Sequence, residues 1–240
     1  MFLSLLTPRP GHEREAAQQR LADGPYGDHQ WLWRLFPAEA GTARDFLFRR
    51  QEVGGLPRYH LVSQRAPQSP GEAWLLQTRP YAPKLEAGER LAFELLACPT
   101  VRHGRDPRDG KSRRHDVVME AKKTLLAERG LSRWADWPAS DGRPDLYALV
   151  QSTCTAWLAR RGARAGFVLD EACCVVSAYQ PMRQRRSSAP ADEAPLQFST
   201  VELSGELTVQ DPNAFTHMLT HGLGSAKAFG CGLMLVRRAL

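Results

Sequence analysis

The amino-acid sequence predicts an α+β protein built from two tandem ferredoxin-like domains. Three observations lead to this fold class. The first 80 residues read as a strand, helical segments and three further strands, and the order of elements after residue 90 is similar. A Pro- and Gly-containing stretch near 83–88 reads as the linker between them. The 240 residues are enough for two small domains.

The first domain is predicted over 1–84. Its predicted elements are a strand over 1–7, helices over 12–22 and 26–36, and strands over 45–49, 58–63 and 74–78. Asp23-Gly24-Pro25 separates the two helices because glycine and proline interrupt a helical pattern. A ferredoxin-like unit needs a second helix before its last strand. None is evident here, so we expect that helix to be short or replaced by a loop.

The second domain is predicted over 88–240. Its predicted elements are a strand over 90–101, a basic loop over 102–114, helices over 116–129 and 144–161, strands over 166–178, 196–203 and 206–209, a helix over 212–220 and a closing strand. A glycine-rich run, 222–233, precedes the closing strand. The two halves share no visible sequence identity, so the repeat rests on the order of elements alone.

The composition predicts a basic protein of a reducing compartment. The formal net charge is +6, and arginine supplies most of the cations, which suits phosphate recognition. The five cysteines show no C-x-x-C and no metal-ligand spacing, so we expect free thiols, no metal and no cofactor. The first residues are too short for a signal peptide and no apolar run could span a membrane. We therefore expect a cytoplasmic protein that does not bind membranes.

The glycine-rich run is a candidate phosphate-binding loop. Gly222 and Gly224 allow close backbone approach, and Lys227 adds a cation. The spacing matches neither the dinucleotide fingerprint nor the Walker loop, because no Gly-Lys-Ser/Thr occurs. An alternative interpretation is that these glycines let two sheets pack tightly, with no ligand.

His29 and Tyr26 are candidate catalytic residues. They lie three positions apart at the start of a predicted helix, so they share one face of its first turn. A histidine can exchange a proton near neutral pH, and a tyrosine can orient or share it. The helix N-terminus favours neutral imidazole, whereas Asp28 has the opposite effect. Alternatively, His29 caps an apolar stripe with Trp33 and Phe36 and has no catalytic role.

Basic residues that could bind nucleic acid form three clusters. They are Arg102, Arg105, Arg108, Lys111, Arg113 and Arg114 in the basic loop, Arg160, Arg161 and Arg164 at a helix end, and Arg183, Arg185 and Arg186 in a Pro/Ser/Arg-rich segment. A single cluster is more often a solvated face, but three clusters with the glycine–lysine loop favour nucleic acid. Aromatic residues do not alternate with these arginines. This pattern favours a structured backbone such as an RNA hairpin over a stacking platform for single strands.

Several separated segments together resemble the CasE family, the CRISPR repeat-processing endoribonucleases of type I-E systems. They are Tyr26 to Pro37, Arg44 to Arg49, Leu91 to Val101, Gly110 to Val118, Val201 to Asp211 and Gly222 to Leu235. The resemblance covers the whole chain in order. No single motif is decisive, but their joint occurrence at these separations is specific.

The resemblance implies a metal-independent RNase with two ferredoxin-like (RRM-related) domains. Such an enzyme cuts precursor CRISPR RNA at the 3′ base of each repeat hairpin by attack of a 2′-hydroxyl. It then keeps the hairpin and joins other subunits in the Cascade complex. His29 matches the family's catalytic histidine, and Tyr26 matches a tyrosine that assists it in some members. No lysine lies near His29 in sequence, so a second cation must come from an arginine such as Arg34 or from a distant segment.

Two alternatives remain open at the level of sequence. The chain could be a non-catalytic subunit that binds structured RNA with the same arginine surface and an inert His29. It could also be an assembly module whose glycine-rich loop packs against a protein partner. Cleavage of repeat RNA in EDTA distinguishes the enzyme from the first alternative, and an RNA-independent complex would favour the second.

Overall fold

The computed structural model describes residues 1–20, 24–39, 41–105, 112–184 and 195–239, and within them all side chains except those of 24–26, 105, 112, 113 and 184. The chain forms two antiparallel sheets, each covered by helices, and a separate two-stranded hairpin. Among the helices described in these ranges, none is both long and apolar enough to cross a membrane.

The first half forms a four-stranded sheet with the predicted ferredoxin-like order. Its elements are β1 Phe2–Pro8, α1 Glu13–Arg20, α2 Gly24–Leu32, a 3-10 turn Trp33–Leu35, β2 Phe46–Val53, β3 Leu56–Ser63 and β4 Trp74–Pro80. The strand order is β2-β3-β1-β4, with β1 and β3 in the centre. No helix lies between β3 and β4, where residues 64–73 are fully described. The expected replacement of the second helix by a loop is therefore confirmed.

The alternation of β3 explains how the first half is covered on both faces. Tyr59 and Leu61 are fully buried and pack with the helices and with Trp74. Because neighbouring strand residues point to opposite faces, His60 and Val62 face the other way, toward the second half. The predicted helix over 26–36 is shorter than expected, because α2 ends at Leu32 and continues only as the 3-10 turn.

The second half repeats the same arrangement with additional elements. They are β5 Arg90–Ala97, β6 Thr100–Arg105, β7 Ser112–Asp116, α3 Val117–Glu128, α4 Leu146–Ala165, β8 Phe167–Leu169, β9 Val175–Gln184, β10 Leu196–Val209, α5 Pro212–His221, a 3-10 turn Lys227–Phe229 and β11 Met234–Arg238. The main sheet has the order β11-β5-β10-β8, and β9 also pairs with β10. Its central strands β5 and β10 correspond to β1 and β3 of the first half.

Four predicted strands of the second half differ from the structure. The strand expected over 90–101 is divided at Pro99, which cannot donate a hydrogen bond to a ladder. Its second part, β6, pairs with β7. These two strands flank the basic loop and form a sheet separate from the main one. The strands expected at 196–203 and 206–209 are one continuous strand, β10. Conversely, the predicted strand over 166–178 is divided into β8 and β9 by a turn.

The two halves contact each other through β2 and β3 of the first sheet. Leu47 and Val62 form an apolar cluster with Leu233. Beside it, buried Arg49 lies 3.6 Å from the Glu94 carboxylate, measured from Nη2 to Oε2. The 3-10 turn Lys227–Phe229 also contacts both α2 and β2. This last contact brings the predicted catalytic helix and the glycine-rich run into one place.

Candidate active site and nucleic-acid interface

His29 lies on α2 in a largely aromatic environment. Its ring centroid is 6.2 Å from that of Trp33 and 6.0 Å from that of Phe46 at the start of β2. The side chain is half-buried. The packing part of the alternative interpretation is therefore correct, because His29 does border an apolar cluster. A packed, half-buried ring is also compatible with catalysis, since packing fixes the orientation of a proton acceptor.

Asp28 does not act on His29 as the sequence suggested. Its carboxylate is 1% exposed and points into the first half's core. Oδ1 accepts hydrogen bonds from Arg20 Nη2 and Tyr59 Oη, both at 2.6 Å, and Oδ2 accepts one from Arg50 Nη1 at 3.2 Å. These bonds compensate the buried charge and tie α2 to α1, β2 and β3. The network therefore fixes the helix that presents His29.

The His29 imidazole is neutral at physiological pH. Burial is the larger cause, and the positive charge of Arg44 is the second; together they lower its pKa from 6.5 to about 4. A neutral imidazole can accept a proton, which is the requirement for a general base. The side chain of Tyr26 lies outside the described residues, so its partnership with His29 stays a prediction.

Lys227 lies close to this helix although it is almost 200 positions away in sequence. Its 3-10 turn packs on α2 and β2, and its Nζ donates a 2.5 Å hydrogen bond to the carbonyl of His221. Burial and, secondarily, the charge of Arg44 lower the pKa of Lys227. Arg44 thus acts electrostatically on both His29 and Lys227. A distant segment does supply a cation here, whereas Arg34 is exposed on the turn after α2.

The sequence pattern does not reveal that Arg44 lies near His29. Arg44 belongs to the Arg44 to Arg49 segment that carries the family resemblance, but nothing in its spacing separates it from the other arginines. Its proximity to His29 depends on how β2 and α2 pack, which a linear pattern does not encode.

The glycine-rich run packs against the first half. Gly222 ends α5 with φ 77°, and a Cβ there would lie 3.0 Å from Leu47 Cδ1. Gly224 has φ 80°, and a Cβ there would lie 3.7 Å from Trp157 Cζ2. Tight packing between the halves therefore explains Gly222 without a ligand. The contact of Gly222 and Gly224 with RNA stays a prediction.

Two of the three arginine clusters converge in space. Arg161 lies near the charges of Arg164, Arg114 and Arg160. Burial lowers the pKa of Arg161, and these three positive charges lower it further. The end of α4 and strand β7 therefore form one basic surface. Arg161 Nη2 also donates to the carbonyl of Thr100 at 3.2 Å. Thr100 Oγ1 lies 3.2 Å from Ser225 Oγ, so this surface continues into the glycine-rich run.

The remaining predicted RNA-binding residues divide into exposed and undescribed ones. Arg102 on β6 and Arg183 on β9 are exposed. Met182, next to Arg183, pairs with Phe198, and the Phe198 ring lies 4.8 Å from that of Phe229 at the end of the Lys227 turn. The residues or side chains outside the description are those of Arg105, Arg108, Lys111, Arg113 and Arg185. Within the described ranges, no three His, Cys, Asp or Glu side chains are grouped so that they could hold a metal ion.

Comparisons with known proteins agree with this architecture. The model of a family described as CRISPR associated protein matches residues 1–238. The Cascade subunit CasE of Escherichia coli (strain K12) is 26% identical, over 87% of this chain and 89% of the relative. The CRISPR-associated endoribonuclease Cse3 of Thermus thermophilus is 26% identical, over 98% of this chain and 99% of the relative.

Solved structures show the same similarity. A structure of the CRISPR endoribonuclease Cse3 bound to a 19-nucleotide RNA is similar with a TM-score of 0.67 and 26% identity, over 99% of this chain and all of that one. The Cas6e structure from Escherichia coli K-12, at 22% identity and a TM-score of 0.54 over the full length of both chains, supports the fold. Because the family model matches residues 1–238, the chain belongs to the CRISPR associated protein family, as a relative of CasE and Cse3.

Proposed function

We propose that this protein is an endoribonuclease that binds CRISPR repeat hairpins, cleaves precursor CRISPR RNA and stays bound as a Cascade subunit. Relatives across nearly the whole chain are named as a Cascade subunit and as a CRISPR-associated endoribonuclease. The observation that carries the proposal is the half-buried His29 ring on α2 beside Trp33 and Phe46, where burial and then the charge of Arg44 keep the imidazole neutral by lowering its pKa. Such a group can take a proton at neutral pH next to a charge that attracts a phosphate.

In the proposed reaction, the 2′-oxygen at the cleavage site attacks the adjacent phosphorus. The bond from O2′ to phosphorus forms, and the bond from phosphorus to the 5′-oxygen breaks. One proton leaves the 2′-hydroxyl and one joins the departing 5′-oxygen, which gives a 2′,3′-cyclic phosphate and a 5′-hydroxyl. Neutral His29 suits the accepting role, and we assign Tyr26 to orient or exchange the second proton. The step needs in-line geometry and stabilisation of negative charge at phosphorus.

Hairpin binding is assigned to the basic surfaces around this site. They are formed by Arg34, Arg102, Arg105, Arg108, Lys111, Arg113, Arg114, Arg160, Arg161, Arg183, Arg185 and Lys227, with Gly222 and Gly224 in the glycine-rich run. The convergence of Arg114 with Arg160 and Arg161 supports a binding surface broader than any one loop. A broad cationic face fits the backbone of a folded RNA.

We further propose the cytoplasm as the site of action and 1–84 and 88–240 as the two domains. The five cysteines are all free, and four of them are buried, which fits a reducing compartment. Each proposed domain contains one complete ferredoxin-like sheet.

Cleavage of a labelled repeat hairpin in EDTA tests the function. We expect the wild-type protein to give a product with a cyclic phosphate and one with a 5′-hydroxyl. The His29→Ala variant should bind the hairpin with unchanged affinity and lose cleavage by at least about a hundredfold, the scale of general acid–base catalysis. His60→Ala is the matched control, because His60 is also half-buried with a pKa lowered mainly by burial, but lies on the opposite face of the first sheet.

Three other outcomes would contradict the proposal. Normal cleavage by His29→Ala would remove the catalytic assignment. Tight binding without cleavage by the wild-type protein would favour a non-catalytic RNA-binding subunit. A stable complex with a protein partner, formed without RNA and broken by changes in the glycine-rich run, would favour an assembly module.

A further inference from the structure

We propose that Arg44 is a catalytic residue, which contacts the non-bridging oxygens of the cleaved phosphate and stabilises the charge that develops on them. This inference rests on the proposed function of the His29 site. It adds a residue that neither the sequence pattern nor the comparisons assign. Three independent features of the structure support it: the position of Arg44, its unused hydrogen-bonding capacity and the distribution of charge around His29.

The position of Arg44 places it where three elements meet. It lies two residues before Phe46, whose ring packs beside that of His29 at 6.0 Å. The turn that carries Lys227 contacts both α2 and β2. Arg44 is close enough to influence the charge of His29 on one side and of Lys227 on the other. A phosphate held by Arg44 therefore lies within reach of the proposed base.

The guanidinium of Arg44 has hydrogen-bonding capacity that the described residues do not use. Its Nη1 is buried and has no hydrogen-bond partner among them, while the side chain as a whole stays partly accessible. Burial lowers the pKa of Arg44, and no carboxylate of the described residues offsets this effect. A buried cationic donor without a partner costs free energy in the free protein. An anion that supplied the missing acceptors would recover that cost.

The nearest carboxylates in sequence are bound elsewhere. Asp45, the next residue, accepts hydrogen bonds from Arg65 Nε at 2.6 Å and Arg65 Nη2 at 3.1 Å. Asp28, next to His29, is bonded to Arg20 in the core. Arg44 therefore keeps its full positive charge toward the site. The arrangement of two cations and a neutral imidazole, with both adjacent carboxylates neutralised, complements a phosphate that gains negative charge as it reacts.

Arginine is chemically suited to this task. Its planar fork can donate two parallel hydrogen bonds to two oxygens of one phosphate, whereas lysine acts as a point charge. In the attack by O2′, phosphorus becomes five-coordinate and its non-bridging oxygens carry more charge than in the ground state. Contacts that strengthen at that stage increase the rate more than they increase affinity.

Single-turnover cleavage of the repeat hairpin by Arg44→Gln and Arg44→Lys tests this inference. Removing one donor to a developing oxyanion slows catalysis by about 10²- to 10³-fold, and we expect a loss of this size for Arg44→Gln. The Arg44→Lys variant, which keeps the charge but loses the fork, should lose less. Affinity for a non-cleavable hairpin with a 2′-deoxy residue at the cut site should decrease by a much smaller factor than the rate. Arg79→Gln, an exposed arginine on β4, is the matched control and should cleave normally.

A pH profile separates this role from a merely structural one. Among the described residues, the charge that acts on His29 is that of Arg44. Arg44 also acts on Lys227, and the Asp28 carboxylate is bonded in the core. Removing the positive charge in Arg44→Gln should therefore move the acidic limb of the rate profile upward, from about 4 toward the ordinary histidine value. Arg44→Lys should keep the wild-type limb, and it also serves as the test if the glutamine variant fails to fold.

Two results would overturn the assignment while leaving the proposed function intact. The first is that the wild-type protein cleaves the hairpin and both Arg44 variants cleave it at the wild-type rate. The second is an equal loss of rate and of affinity for the 2′-deoxy hairpin, because that pattern belongs to general RNA binding. Failure of the wild-type protein to cleave would instead overturn the proposed function.

Discussion

At the scale of single residues, the environment of His29 decides what its imidazole can do. The aromatic rings of Trp33 and Phe46 remove water from it, and Arg44 adds positive charge nearby. Both effects act against the protonated form. The same packing that makes the residue look like part of the core thus keeps it neutral near pH 7, as a general base must be before it acts, while it lowers its basicity.

This environment predicts a pH-dependent contribution to stability. The pKa of His29 is about 4 when folded and near 6.5 when unfolded, so the unfolded chain binds more protons between these values. The free energy of unfolding should therefore decrease as pH falls from 6.5 to 4. In His29→Gln this part of the decrease should be absent, which urea unfolding at pH 7.5, 5.5 and 4.5 measures. An identical pH dependence in both proteins would show that His29 does not titrate in this way.

The predictability of single residues from sequence depends on what defines their role. His29 could be proposed because a histidine beside a tyrosine at a helix start carries recognisable chemistry. The role of Asp28 could not, since its partners Arg20, Tyr59 and Arg50 come from three other elements. Arg44 has the same limitation, because only packing distinguishes it from the other arginines in the chain.

At the scale of elements, α2 is held by a buried ionic network rather than by its own helix propensity. The segment contains two glycines and a proline, which are poor helix residues. The bonds of Asp28 to Arg20 and Tyr59, both almost inaccessible to solvent, fix its orientation instead. The helix that presents the proposed base therefore depends on a carboxylate that faces away from the site.

Removing that carboxylate should destabilise the protein strongly. Asp28→Asn leaves the buried Arg20 guanidinium without its counter-charge, and breaking such a pair costs about 3–5 kcal/mol. Asp136→Asn is the matched control, because the Arg133–Asp136 pair is solvent-exposed and should contribute little to stability. Equilibrium unfolding in urea compares the two variants. A similar small loss in both would show that the network does not anchor α2.

Most elements could be predicted from the sequence, and the differences have local causes. The central strands β1, β3 and β5 and the missing helix before β4 followed from hydrophobic pattern and turn residues. The split at Pro99 and the continuous β10 did not, because both depend on which neighbouring strand receives the hydrogen bonds. The β6–β7 hairpin was expected as a loop, since charged residues conceal its pairing.

At the scale of the whole molecule, the site lies where the two halves meet. The first half supplies His29 and Arg44, and the second supplies Lys227 and the basic surface of α4 and β7. The repeated sheet order could be predicted from the order of elements. How the glycine-rich run packs on α2 could not, because that contact joins segments almost 200 residues apart.

The binding surface across the second half predicts a specific dependence on salt. Each cation that neutralises an RNA phosphate contributes about one unit to the slope of log affinity against log salt concentration. Arg160→Gln and Lys227→Ala should each reduce the slope by about one, and the double variant by about two. Titration of a 2′-deoxy hairpin at several salt concentrations measures this. Arg79→Gln should keep the wild-type slope; an unchanged slope in Lys227→Ala would remove its loop from the interface.

The contact between α2 and the Lys227 turn also has a consequence for biosynthesis. Translation produces His29 and Arg44 early, and domains generally fold from the N-terminus as they leave the ribosome. Lys227 and the run that places it are made almost 200 residues after His29. The group of His29, Arg44 and Lys227 thus cannot be complete on a chain that ends before residue 227.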